Sequence, residues 1–308
     1  MLIPETRVPD PRSQGPTWPN TAPAEEQHVR GEGSLLQVCE VGADASWRRE
    51  RLTHWDVINR MYMQGKTPSP LFNAPWVTKD IFRRDWLHAS DLGVAADFAG
   101  NALKLLQTKF AGANKKDRTQ ALFGNICEWY ERNHIPASDR LPLLTTGMIQ
   151  ASKKSPKLRA NAGIVRKLVP YLEEATRLRL NAAHPLEGAV VQAAHHLNEC
   201  YAALSHDCIF HASLMQRNSR LFALQYVALA QAHDGRRDWV LKPKMHAWLE
   251  LCSEHSRPAL FWTYRDEDYG GGVSRMARRR GGGISVAALS RQVLESFRVK
   301  QPIVRIVL

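Results

Sequence analysis

The sequence predicts a mainly α protein, a helical bundle with at most a small and incomplete β element. Apolar residues recur at helical spacing over long stretches from Leu92 onward, and the alternating pattern of half-buried strands is almost absent. The chain has 308 residues, 44% of them hydrophobic, which is enough for one large domain or two ordinary ones. We therefore expect a disordered tail over residues 1–45 and a single, mainly helical domain over residues 46–308.

The elements follow from local signals along the chain. Residues 1–45 contain six prolines and few large apolar residues, so burial cannot offset the entropy of ordering them. A first helix is predicted over 46–64, and the proline-containing stretch 66–77 must be extended or turning. Further helices are predicted over residues 92–106, 119–133, 140–151, 158–178 with a kink at Pro170, 185–204, 214–233 and 244–255.

The C-terminal part is less regular. Residues 258–265 are rich in aromatic side chains and fit either a short strand or buried coil. Residues 270–283 hold six glycines around a basic run and break regular structure. A last helix is predicted over 285–298 and a terminal strand over 302–308.

The charge balance indicates a polyanionic partner. Lys and Arg number 42 against 30 Asp and Glu, which gives a net charge of +12 and an isoelectric point near 9.7. Nucleic acid is the first expectation and an anionic membrane surface the second. No apolar run approaches the length of a membrane span, and the N-terminus lacks the apolar core of a signal peptide. Five scattered cysteines suggest reduced thiols in an intracellular protein.

One pair of polar residues suggests chemistry. Asp85 and His88 are three residues apart, so they share a face if this segment is helical. An Asp at the start of a helix also caps backbone N–H groups, which is an ordinary structural role. Asp91 and Asp97 lie nearby and could replace Asp85 in any acidic role.

A second acidic position lies far downstream. Glu267 sits between Asp266 and Asp268, and adjacent carboxylates of this kind can hold a divalent cation. The alternative is a solvated acidic turn that the arginines following it neutralise.

Basic residues form two groups with a spacing suited to phosphate contact. Glycines flank Arg278, Arg279 and Arg280, so the backbone there could approach a nucleic acid closely. A nuclear-localisation signal needs the same residues. The second group precedes and enters the predicted helix over 158–178; its members are Lys153, Lys154, Lys157, Arg159, Arg166 and Lys167.

Three blocks in order carry a resemblance to a known family. LFNAPWVTKDIFRRDWLHASDLGVAADF resembles the region around the second catalytic acid of CACTA-type (En/Spm-like) transposases. LKPKMHAWLEL resembles a later helix of that family, and FWTYRDEDYGG resembles its aromatic block with the last catalytic glutamate. The resemblance spans roughly residues 71–280.

The resemblance implies a role for each matched residue. Asp85 would be the second acid of a DDE triad, Glu267 the third and His88 the motif histidine. Residues from about 100 to 240 would form the helical insertion of an RNase H-like catalytic domain. Asp85 and Glu267 would hold Mg²⁺ or Mn²⁺, and the chemistry would be metal-assisted phosphoryl transfer on DNA.

The sequence departs from that family at the first acid. Several strands should separate the first acid from the second. Three of the four acids upstream of Asp85 leave no room for them, and after the fourth, Asp44, the sequence predicts helix and proline-rich coil instead of strands. These upstream acids are Asp44, Glu50, Asp56 and Asp80. The chain thus resembles a fragment or domesticated remnant that lacks the N-terminal part of the catalytic core.

We therefore expect a nuclear, transposon-derived DNA-binding protein with low sequence specificity and weak or no catalysis. Mg²⁺ or Mn²⁺ is expected only if the protein is active. One alternative is an active metal-dependent transposase or nuclease subunit whose first acid comes from elsewhere. Another is a helical protein-interaction scaffold without a nucleic-acid role, and self-association into a homo-oligomer stays open.

Overall fold

The computed structural model describes residues 52–74, 77–78, 84–205 and 209–260, with single residues and short runs between 262 and 295. Within these residues the regular structure is helical, which confirms the mainly α class. The α-helices are α1 His54–Met63, α2 Ala95–Gln107, α3 Lys115–Arg132, α4 Thr146–Ile149, α5 Ala162–Arg179, α6 Pro185–Ala202, α7 Ala212–Ala232 and α8 Pro243–Cys252. A π-helical segment, Leu87–Val94, leads directly into α2, and short 3-10 turns lie at Pro70–Asn73, Ala137–Asp139 and Pro258–Leu260.

Helix starts follow the local signals in the sequence. Pro185 and Pro243 each occupy the first turn of their helix, where a missing N–H costs nothing. The Asn114 side chain accepts hydrogen bonds from two backbone N–H groups at the start of α3. Asn161 caps α5 in the same way, through the N–H of Ile164 at 2.9 Å. These caps explain why most predicted helices agree with the structure to within a few residues.

Two predicted helices differ from the structure. The helix predicted over 140–151 is wrong, because only Thr146–Ile149 is helical and the Thr145 side chain caps that short turn. Pro142 has no N–H to donate and disfavours helix at the residue before it, so the chain before Thr145 stays irregular. Of the helix predicted over 46–64, residues 52 and 53 are not helical, and α1 begins at His54, where Thr53 forms a reciprocal capping box with Asp56.

Several predictions fall outside the described residues. These are the N-terminal tail 1–45, the start of the predicted helix over 46–64, and the terminal strand 302–308. Of the helix predicted over 285–298, residues 287–292 and 295 are helical. The loop predicted over 270–283 is wrong for its described residues, because 270–272, 274, 275 and 278 are helical despite the glycines. No helix among the described residues is long and apolar enough to cross a membrane.

The centre of the bundle is α2. Its alanines at 95, 96, 99 and 102 are fully buried, and it packs against α3, α4, α5 and the π-helical segment. Small side chains let neighbouring backbone come close: a Cβ on Gly100 would lie 2.3 Å from the backbone nitrogen of Lys157. The loop before α5 therefore sits directly on α2, and its Leu158 N–H donates to the carbonyl of Ala96 at 2.8 Å.

Aromatic side chains join the π-helical segment to the later helices. Trp86 is fully buried, meets Tyr201 of α6 edge-on at 5.5 Å between ring centroids, and lies 6.5 Å from Trp248 of α8. Trp248 in turn contacts Phe222 of α7 at 5.3 Å. Such edge-to-face contacts add to the free energy gained by burial. They hold the segment that carries Asp85 and His88 against three helices from the second half of the chain.

Candidate functional site

Asp85 is a junction between the π-helical segment and the C-terminal part of the chain. Its Oδ1 accepts hydrogen bonds from the N–H of Leu87 at 3.1 Å and from the N–H of Thr263 at 3.0 Å. Its Oδ2 accepts from the N–H of His88 at 3.0 Å and lies 2.5 Å from the Nδ1 of His88. A carboxylate has roughly four acceptor positions, so protein groups occupy the acceptor capacity of Asp85 in this structure.

These contacts also set the charge of Asp85. Partial burial acts to raise its pKa, but the hydrogen bonds from His88 and Thr263 outweigh burial and leave the pKa below its usual value. The carboxylate is therefore ionised at neutral pH and stabilises the first turn of the helix, in the manner of an N-cap.

His88 lies between the two acids that the sequence singled out. Its Nδ1 faces Asp85, and its Nε2 lies 3.4 Å from the Oε1 of Glu267. Both His88 and Glu267 are more than half exposed at 52% and 57%, so this row of carboxylate, imidazole and carboxylate opens to solvent. The fold thus brings Asp85, His88 and Glu267 together, with the imidazole ring separating the two carboxylates.

This arrangement differs from a shared carboxylate metal site. A metal bridged by two carboxylates needs oxygens from both aimed at one point, whereas here each acid contacts a different ring nitrogen. Among the described residues, no cluster of three or more metal-binding side chains occurs. Asp266 and Asp268, which flank Glu267, lie outside the described residues.

A second, buried acid lies behind this row. Asp91 is fully buried and accepts a short hydrogen bond from the hydroxyl of Tyr201 and another, at 2.5 Å, from the hydroxyl of Tyr264. Ser90 lies 3.0 Å from the same Tyr201 hydroxyl. Burial raises the pKa of Asp91 to about 6, although the two tyrosine hydroxyls and the charge of Arg166 act to lower it.

The surroundings of Asp91 differ from those of Asp85. Two phenol donors satisfy its oxygens, and surrounding side chains exclude water from them. The sequence suggested Asp91 only as a substitute for Asp85. Its partners come from α6 and from the segment after Pro258–Leu260, and no short-range pattern could have indicated them.

The C-terminal segment is attached to the π-helical segment at several points. Besides the contacts of Thr263, Tyr264 and Glu267, the guanidinium of Arg166 stacks on the ring of Trp262 at 4.5 Å. Arg166, predicted as a phosphate contact, therefore packs against Trp262 beside the buried acid. This cation–π contact adds a further attachment from α5.

Two lysines donate hydrogen bonds to backbone carbonyls of the π-helical segment. Lys244 of α8 donates to the carbonyl of His88 at 3.1 Å, and Lys157 donates to the carbonyl of Leu92 at 2.6 Å. Burial lowers the pKa of Lys157, although nearby Asp97 opposes that shift. Asp97 itself pairs with Lys242 at 2.7 Å. Helix α8, which carries the second block of the family resemblance, thus contacts the same segment as Asp85 and Glu267.

The remaining predicted phosphate contacts divide into exposed and engaged side chains. Lys153, Lys154 and Arg159 are exposed in the loop before α5. Lys157 is engaged with Leu92, and the Nζ of Lys167 lies 3.7 Å from the Oδ2 of Asp139. Arg278 is exposed and donates to Ser274 at 3.0 Å, whereas Arg279 and Arg280 lie outside the described residues.

Comparisons of the chain with protein-family models, with curated proteins and with solved structures found no match.

Proposed function

We propose that this protein is a transposase-derived DNA-binding protein, resident in the nucleus, with weak or no catalytic activity of its own. The observation that carries the proposal is the convergence of three separate sequence blocks on one segment. Asp85 and His88 lie at its start, Lys244 contacts the carbonyl of His88, and Glu267 faces the His88 ring. Those blocks are the ones that resemble CACTA-type transposases.

The same geometry is the reason to expect weak or no catalysis. Metal-assisted phosphoryl transfer needs carboxylate oxygens that are free to bind the ion, but Asp85 accepts four hydrogen bonds from protein groups. His88 also separates Asp85 from Glu267. Among candidate first acids, Asp56 is engaged in the capping box of α1, and Asp44, Glu50 and Asp80 lie outside the described residues.

The charge of the protein supports nucleic-acid binding. The net charge is +12, and the loop before α5 exposes Lys153, Lys154 and Arg159 within seven positions of each other. Long cationic side chains on an exposed loop can follow a phosphate backbone without reading bases. Binding should therefore depend steeply on salt and little on sequence.

A duplex-binding titration tests the proposal. Fluorescence anisotropy with a labelled DNA duplex should show binding at low salt, and log K should fall linearly with log salt concentration. Changing Lys153, Lys154 and Arg159 to Gln should weaken binding by tenfold or more and reduce the salt slope by about 0.9 for each lost phosphate contact.

The matched control removes the same charge elsewhere. Lys116, Arg217 and Arg236 are exposed on other parts of the fold, and changing all three to Gln should weaken binding much less. Equal losses in the two triple variants would remove the loop before α5 from the proposal. Absence of binding to duplex and single-stranded DNA at low salt would reject the proposed function itself.

Asp85 and Glu267 lie on either side of the His88 ring, and this arrangement favours a second candidate function. In this candidate the protein is a metal-dependent nuclease or transposase subunit whose first acid another chain supplies. A plasmid-nicking assay with Mg²⁺ or Mn²⁺ distinguishes the two functions. The DNA-binding proposal predicts no metal-dependent nicking, whereas nicking that disappears in both Asp85→Ala and Glu267→Ala would establish the nuclease.

A further inference from the structure

A cavity of about 430 Å³ lies away from the Asp85 site, between the ends of four helices. Its walls come from the C-terminal ends of α2 and α7 and the N-terminal ends of α3 and α6. The volume lies within the range of small-molecule sites in proteins. The N-terminal ends of α3 and α6 carry partial positive charge and the C-terminal ends of α2 and α7 partial negative charge, so the charged side chains decide the net charge of the cavity.

The carboxylates of the cavity wall already have cationic partners. Asp238 pairs with Lys104 at 2.6 Å, and Glu187 pairs with Lys109 at 2.7 Å. Two further cations of the wall, Lys115 and Arg118, form no ion pair with any residue that the structure describes. The pocket therefore has a surplus of positive charge that its own acids do not neutralise.

The guanidinium group of Arg118 has an N–H without a hydrogen-bond acceptor in the described part of the chain. Its Nε is buried and has no hydrogen-bond partner among the described residues. A buried N–H without an acceptor costs free energy, and for a charged group the cost is larger. The loop before α3 also packs tightly here, since a Cβ on Gly112 would lie 2.6 Å from the backbone nitrogen of Arg118. The backbone of Arg118 is therefore closely packed, and an anionic oxygen in the cavity would give its guanidinium group an acceptor.

Part of the cavity wall is apolar and aromatic. Leu186, Leu229 and the almost completely buried Trp239 line it. Trp239 has a φ of 56°, a strained value for a bulky residue, and its backbone N–H donates to the Oδ1 of Asn101 at 2.9 Å. Strained residues of this kind persist where the surrounding structure fixes them, often beside ligands.

We propose that this cavity binds a small aromatic anion. A phosphate or carboxylate group would contact Arg118 and Lys115, and the ring would lie against Trp239 and the neighbouring leucines. The site is separate from the proposed DNA-binding surface, and its ligand is a small molecule rather than a polymer. Charge-assisted hydrogen bonds from the cations would set the preference for an anion, and the apolar wall would set the preference for a ring.

Isothermal titration calorimetry on the full chain tests this proposal with defined probes. Phenyl phosphate and benzoate should bind with saturable one-to-one stoichiometry at millimolar concentrations or below. Inorganic phosphate should bind more weakly because it lacks the ring, and neutral benzyl alcohol more weakly because it lacks the charge. Failure of both aromatic anions to bind would overturn the proposal.

Single-residue variants test whether phenyl phosphate binds in this cavity. Arg118→Gln and Lys115→Gln should each reduce the affinity for phenyl phosphate about tenfold or more, as expected when a charge-assisted contact is lost. Lys116→Gln is the matched control, because Lys116 is the exposed neighbour that does not line the cavity. Lys115 is exposed, so its variant stays informative even if Arg118→Gln alters folding. Unchanged affinity in both wall variants, or an equal loss in Lys116→Gln, would also overturn the proposal.

Discussion

The hydroxyl of Tyr264 donates a hydrogen bond to Asp91 at 2.5 Å, although 173 positions separate the two residues in the chain. Tyr201 donates to the other oxygen of the same carboxylate. One buried acid therefore links the π-helical segment, α6 and the C-terminal segment that carries Glu267. The row of Asp85, His88 and Glu267 lies beside this buried junction and opens to solvent at His88 and Glu267.

The first prediction concerns the pH dependence that Asp91 gives to stability. Burial raises the pKa of Asp91 to about 6, above the value of an exposed Asp, so the folded state binds the proton more tightly than the unfolded state. This contribution to stability is therefore present at low pH and is lost as the pH rises through about 6. The wild type should therefore lose roughly 2 kcal/mol relative to Asp91→Asn between about pH 4.5 and pH 7.

Urea denaturation of both proteins at several pH values measures this difference. Asp234→Asn removes an exposed carboxylate on the turn after α7 and controls for the change in net charge. A difference between wild type and Asp91→Asn that stays constant over the pH range, or that grows in favour of wild type, would contradict the prediction.

The second prediction concerns Asp85 as a structural group. Replacing it with Ala removes a cap from the π-helical segment and the acceptor for the N–H of Thr263. We expect a loss of about 2 kcal/mol in the free energy of unfolding, about half from the cap and half from the tertiary hydrogen bond. Because the pKa of Asp85 lies below its usual value, its contribution is present at neutral pH and is lost in strong acid.

Asp85→Asn is the matched variant for this measurement. Asn caps helices nearly as well as Asp and retains one acceptor oxygen, so it should keep most of the stability. Chemical denaturation at neutral pH compares the two variants. If Asp85→Ala were as stable as wild type, the hydrogen bonds of Asp85 would be negligible and its side chain would be free for another role.

The helices were largely predictable from sequence because their signals are local. The prolines at 185 and 243 and the apolar period of 3.6 residues placed α6 and α8 correctly. The helix over 140–151 was wrong because Leu141 and Leu144 are buried by an irregular chain rather than by a helix. Periodicity cannot distinguish these two ways of burying an apolar residue.

The candidate site was predictable only in part, because some of its contacts join residues that are far apart in the sequence. The spacing of Asp85 and His88 suggested either a shared helix face or a cap at a helix start; the structure places Asp85 just before the helix, where it caps the N–H groups of Leu87 and His88. The burial of Asp91 depends on Tyr201 and Tyr264, which approach it only in the folded chain. A sequence pattern can suggest which residues share an element, but here tertiary packing decides which acid is fully buried and which is only partly buried.

The third prediction concerns thiol reactivity. Cys200 and Cys252 are fully buried, and burial raises the pKa of both thiols well above the usual value. Since the thiolate is the reactive form, iodoacetamide should label neither residue in the folded protein at neutral pH. Both should be labelled after addition of urea, and peptide mapping by mass spectrometry reports each site. Rapid labelling of Cys200 in the folded protein would mean that α6 opens readily.

The fourth prediction uses a pair of glycines in neighbouring helices. Gly100 lies inside α2, and a Cβ there would come within 2.3–2.7 Å of the Lys157 backbone, which cannot move aside as a flexible side chain could. Gly124 lies on the exposed side of α3, where a Cβ would meet nothing within 4 Å. Both are helical, so the intrinsic preference of Ala over Gly acts equally on each.

The two Ala variants should therefore change stability in opposite directions. Gly124→Ala should raise the free energy of unfolding by about 0.5–1 kcal/mol, because it reduces the entropy of the unfolded chain without a new contact. Gly100→Ala should lower it by about 2 kcal/mol or more, because the loop before α5 must move away from α2. That loop carries Lys153, Lys154 and Arg159, so Gly100→Ala should also weaken DNA binding, whereas Gly124→Ala should not. Equal stability of the two variants would show that α2 and this loop are not in the close contact described here.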